Sequence, residues 1–95
     1  MKAVFADTSF WVARVNPDDQ WATSANRAIW ELRDFHMFTS DLVIAEFLNA
    51  QSSRGPWART AAIETARMML TDPTITVLEG TRVLLLEAID LYERR

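Results

Sequence analysis

Apolar residues fall in short blocks along this chain, and the spacing inside the blocks is of two kinds. Ala3-Val4-Phe5-Ala6 is a compact apolar run closed at once by Asp7-Thr8-Ser9, the pattern of a buried strand ending in a polar turn. Phe35 to Thr39 reads as a second strand. Thr74-Ile75-Thr76-Val77-Leu78 is β-branched and alternating and reads as a third. Between the strands the period lengthens. Over 21–33, Ala25, Ala28, Ile29 and Leu32 keep helical spacing, with Arg27, Glu31 and Arg33 on the other side. Val43, Ile44, Phe47 and Leu48 do the same in a helix that Ser40 or Asp41 can cap and that runs to about Gln51. Segments 10–15, 57–70 and 82–94 complete the helices, the last expected to bury Leu85, Ala88, Ile89 and Tyr92. Asn16-Pro17-Asp18-Asp19, Arg54-Gly55-Pro56, Thr71-Asp72-Pro73 and Gly80-Thr81 punctuate them.

The resulting order is β-α-α-β-α-α-β-α. Strands separated by helices pair in parallel through right-handed crossovers, so an α/β domain with a small parallel sheet over 1–95 is expected. Composition narrows what it can be. At 95 residues and 49% hydrophobic, the chain has material for one modest core. The absence of cysteine excludes a disulfide framework and a thiolate metal site. A net charge of −3 excludes nucleic-acid binding by bulk charge alone, although a local basic patch stays open. Asp7 interrupts the only start that resembles a signal segment, and no apolar stretch approaches the ~20 residues of a membrane span. A cytoplasmic protein, away from membranes, is expected.

Two acids stand out. In an open parallel sheet, ligands bind beyond the carboxyl ends of the strands, and Asp7 emerges there, before two hydroxyl residues and a helix start. That position suits a metal-binding or catalytic carboxylate and equally a helix N-cap. Glu46 lies between Val43-Ile44-Ala45 and Phe47-Leu48, two turns into a helix that begins at the same edge. A carboxylate among apolar residues needs a partner or a cation, unless it sits on a solvated stripe with Asn49 and Ser53. Two oxygen ligands converging at one point would suit Mg²⁺ or Mn²⁺, completed by waters and substrate phosphate, and hence phosphodiester hydrolysis. Glu79 follows strand 3 but lies two strands from Asp7. His36 opens a strand at the opposite edge and reads as structural. Arg54, Arg59 and Arg67 cluster around the fourth helix, where they either contact RNA phosphates or form a solvated face. Arg14/Asp18 and Arg27/Glu31 are spaced as helical ion pairs.

These blocks resemble a known family. Lys2-Ala3-Val4-Phe5-Ala6-Asp7-Thr8-Ser9 is similar to the opening strand of PIN domains, and Thr39-Ser40-Asp41-Leu42-Val43-Ile44-Ala45-Glu46-Phe47-Leu48 to their second block, in which an acid lies in the helix after strand 2. The likeness is strongest to the VapC-like ribonuclease toxins. It implies a three-layer PIN-like fold and an Mg²⁺- or Mn²⁺-dependent endoribonuclease. Asp7 and Glu46 would be catalytic metal ligands, with Thr8 and Ser9 supporting the first Asp. It also implies partners: RNA, an antitoxin protein, and a second copy as a homodimer or strand-exchanged oligomer. The family's third acidic block has no counterpart before Arg95. Its absence implies a C-terminally truncated domain, a chain completed by a second copy, or a relative that kept binding and lost catalysis. The alternative function is therefore a catalytically incomplete interaction module. A metal-dependent DNA nuclease is the third reading, since a metal site reads phosphate and not sugar.

Overall fold

The protein is described by a computed structural model over residues 2–94, without the side chains of Val83, Leu84, Glu87, Ala88, Leu91 and Tyr92. Its elements are β1 (Ala3–Phe5), α1 (Thr8–Val15), α2 (Ala22–Glu31), β2 (His36–Ser40), α3 (Asp41–Gln51), α4 (Pro56–Thr71), β3 (Ile75–Leu78) and α5 (Arg82–Glu93). This is the expected order, with ends shifted by a residue or two where caps decide them. Ser40 Oγ accepts from Val43 N (3.2 Å) and so opens α3, leaving Asp41 as its first helical residue. Gly55 has φ 97°, a backbone region that disfavours side chains, and Pro56 comes next at the first position of α4, where a missing N–H costs nothing.

The three strands pair in parallel in the order β1-β2-β3, with Phe5 opposite Phe38 and Phe38 opposite Thr76. Residues of α1, α3 and α4 pack together on one face of the sheet, the arrangement that successive right-handed crossovers in that order produce. The core forms there. Trp11, Phe47 and Met69 are buried with Ala6, Ala62 and Ala66, and Met37, Ile75 and Val77 of the sheet pack onto them. Thr39, fully buried, donates its Oγ1 proton to the carbonyl of Ala6 (3.0 Å), fastening the end of β1 to β2 just before Asp7.

The other sheet face carries Phe5, Phe38 and Leu78, the alternate positions of the strands. Phe5 is 54% exposed and Leu78 41%, so the edge position of β1 leaves its apolar side bare. The expected burial along α5 is not found at Leu85 and Ile89, which are exposed; Ala88 and Tyr92 lie outside the described side chains. Periodicity marks an apolar stripe but does not supply the surface that covers it.

The proposed ion pairs Arg14/Asp18 and Arg27/Glu31 do not form; among the described residues the ion pair is Arg94–Asp90 (3.2 Å). Asp18 lies beyond the end of α1, so helical spacing does not apply to it. Arg27 and Glu31 do share α2, but exposed pairs gain little over water. His36 Nε2 meets Thr76 Oγ1 (2.6 Å) across β2 and β3, in keeping with a structural role. Asp72 accepts from the Thr74 hydroxyl (2.6 Å) and backbone N–H (2.8 Å), and these bonds hold its carboxyl below the usual range. It shapes the turn into β3 and lies away from Asp7.

Candidate metal and RNA site

Parallel strands bring the carboxyl ends of β1 and β2 to the same edge, and the candidate site is built on the helix that leaves each of them. Asp7 is the N-cap of α1: its Oδ1 accepts from Phe10 N (3.1 Å) and from Ser9 Oγ (2.8 Å). The cap role and the placement for chemistry therefore coexist. One carboxylate oxygen organises the helix start, while Oδ2 accepts no hydrogen bond from the described residues.

Glu46 arrives from α3. The helix buries Ile44 and Phe47 against α1 and the core, which turns Glu46 outward to an exposed position. Its isolation among apolar neighbours in the sequence is thus resolved by helical geometry. Thr8 Oγ1 donates to Glu46 Oε2 (2.8 Å), a bond that spans 38 residues and joins the start of α1 to the middle of α3. Because Thr8 is the residue after Asp7, this bond ties the second carboxylate to the neighbour of the first.

The expected support of Asp7 by both hydroxyls is corrected on this point. Ser9 supports Asp7, but Thr8, at the first helical position, faces α3 and holds Glu46. Replacing Thr8 by Val, which keeps the shape and removes the donor, is expected to release Glu46. If the two carboxylates hold a cation, half-saturation by Mn²⁺ should move to higher concentration in Thr8→Val, and Thr8→Ser should restore it. A Thr8→Val protein with an unchanged Mn²⁺ titration would show that the bond is incidental.

The other candidates fall elsewhere. Glu79 is exposed after β3, with β2 between it and the Asp7 edge. Asp41 Oδ2 accepts from Gly80 N (3.3 Å) and so tethers the β3–α5 connection. Among the described residues no group of three or more acids or histidines could hold a metal. The candidate site rests on two carboxylates, Asp7 and Glu46, each with an oxygen that accepts no hydrogen bond from the described residues. That set fits a hard divalent cation of the Mg²⁺ kind, which takes one or two protein carboxylates and keeps several waters.

A groove of about 650 Å³ runs from Glu46 between α3 and α4. Asn49 and Ser52 line it from α3, Arg59 and Ile63 from α4, and Leu48 lies in its floor. Ser52, the C-cap of α3, lines the groove, while Ser53, which helical spacing would align with Glu46 and Asn49, does not. The helix ends at Gln51, so its period no longer applies there. Which serine walls the groove depends on where α4 packs. The two arginines proposed for RNA are separated. Arg59 lies in the Glu46 groove, while Arg54 lines a different cavity of about 280 Å³ with Asn16, Asp18 and Trp57.

No family model matches the sequence, and a search of curated proteins finds no match. Among solved structures, the chain is similar to VapC20 of Mycobacterium tuberculosis, a toxin that cleaves the sarcin-ricin loop. The TM-score is 0.78 at 26% identity, over 96% of this chain and 67% of that one. The chain has the VapC-like PIN fold: a mixed α/β arrangement around a three-stranded parallel sheet.

Proposed function

We propose that the chain is a cytoplasmic endoribonuclease of the VapC toxin kind, with Mg²⁺ or Mn²⁺ held by Asp7 and Glu46. The observation that carries this reading is the Thr8–Glu46 bond, which sets two free carboxylate oxygens at the carboxyl edge of the sheet. It is supported by the fold shared with an RNA-cleaving toxin. A cation bound there would stabilise charge on a phosphoryl group and lower the pKa of a bound water. The chain's own part is to hold the ion and to fix the carboxylates: Ser9 and the Phe10 N–H orient Asp7, and Thr8 orients Glu46. No side-chain nucleophile is required. Among the described residues no helix is long and apolar enough to cross a membrane.

The test is cleavage of a structured RNA in Mn²⁺. Cleavage should stop on addition of EDTA and return when Mn²⁺ is restored in excess. Turnover that persists in EDTA would refute the metal assignment, and a matched DNA substrate cut equally well would refute the RNA preference. Protein partners belong to the same reading. The bare sheet face around Phe5 and Leu78 has the apolar character that an antitoxin or a second copy would cover.

A further inference from the structure

We propose that Arg59 forms a phosphate-binding subsite, and that the α3–α4 groove leads single-stranded RNA away from the Asp7–Glu46 centre; this rests on the ribonuclease reading and extends it. The chain carries net charge −3, so its overall field repels RNA, and attraction must come from local cations close to the centre. Among the described residues, Arg59 is the cation that shares a cavity with Glu46, and it pairs with no carboxylate. Its one side-chain hydrogen bond to the described residues, from Nη1 to the Ser52 carbonyl, is long at 3.4 Å, and the remaining guanidinium donors are available.

That bond also locates the charge. Ser52 closes α3, six residues after Glu46, a rise of about 9 Å along the helix. The Glu46 side chain leans the opposite way, toward the start of α3. Arg59 is therefore placed for a phosphate neighbouring the scissile one, not for the scissile group itself. Between the two, Leu48 and Ile63 give the groove an apolar floor on which a base can lie, and Asn49 adds an amide. Arg59 is a positioning residue in this arrangement. Arg54 serves as its internal control, being of the same type and near in sequence but in a separate cavity beside Asp18.

The test is fluorescence anisotropy with a labelled, fully 2′-O-methylated single-stranded oligonucleotide, which cannot be cleaved, titrated at several salt concentrations in Mg²⁺. For a single-stranded ligand, losing one phosphate contact lowers the slope of log affinity against log salt by ~0.7. Arg59→Ala should show that loss, Arg59→Lys should keep the wild-type slope, and Arg54→Ala should match wild type. In cleavage assays Arg59→Ala should raise KM and leave kcat in place, the signature of lost uniform binding. A wild-type slope in Arg59→Ala, or an equal loss in Arg54→Ala, would overturn the proposal. Wild-type protein that does not bind the oligonucleotide would overturn it too and leave the groove to a protein partner. Failure of the ribonuclease reading looks different: binding and salt slopes as described, with no cleavage by any form.

Discussion

Asp7→Asn is expected to abolish metal-dependent RNA cleavage while leaving the protein as stable as before. The two halves of that result come from the two oxygens of one carboxylate. Oδ1 caps α1 through Phe10 N and the Ser9 hydroxyl, and an asparagine amide oxygen can accept both bonds, since Asn and Asp are near-equal N-caps. What Asn removes is the negative charge and the second oxygen, the part left free for a cation. Loss of a group that stabilises developing charge typically lowers kcat by ~10²- to 10³-fold, and removal of a metal ligand belongs at or beyond the upper end. Asp7→Ala should lose the same activity and in addition about 1 kcal/mol of stability, because no side-chain acceptor remains for the helix start. Turnover with Mn²⁺ and thermal melts of both variants separate the roles. An active Asp7→Asn protein would remove Asp7 from the centre. An Asp7→Asn protein that melts as early as Asp7→Ala would mean that the cap depends on the charge.

Strand and helix order was readable from the chain because each element signals itself locally. Asp7-Thr8-Ser9 after an apolar run, Ser40 before a helical period, and Gly55-Pro56 before α4 all act within a few residues. β1 lies at an edge of the sheet, and Phe5 on it is exposed. The unreadable part depends on packing between distant segments. Thr8 and Glu46 are 38 residues apart, and which hydroxyl serves which carboxylate is decided by how α1 lies against α3. The separation of Arg54 from Arg59 is of the same kind. In the sequence they look like one cluster, but Arg54 precedes α4 and lines a cavity with Asn16 and Asp18, while Arg59, on α4, lines the groove shared with α3. The apolar stripe of α5 makes the converse point: Leu85 and Ile89 have the right spacing and no cover.

Phe47→Ala is expected to be the most destabilising single truncation near the site, and its comparison with Glu46→Gln tests whether core and chemistry are separable along one helix. Phe47 is fully buried, in contact with the cluster formed by Trp11, Ala62 and Met69. Removing its ring costs about 3–5 kcal/mol, through lost burial and the cavity left behind. A domain of this size holds roughly 5–15 kcal/mol in total, and each lost kcal/mol lowers its melting point by about 4–8 °C. The variant should therefore melt at least ~12 °C below wild type, with cleavage falling as the folded fraction falls. Glu46, one residue earlier, turns to solvent and the groove, so Glu46→Gln should melt close to wild type yet lose metal-dependent cleavage. The amide oxygen can still accept from Thr8, while the charge and the second oxygen are gone. If both variants lost stability equally, Glu46 would be part of the structural support of α3 and not a ligand held at its surface. If Phe47→Ala melted with wild type, the packing of α3 on α1 would not be what presents Glu46 to the edge of the sheet.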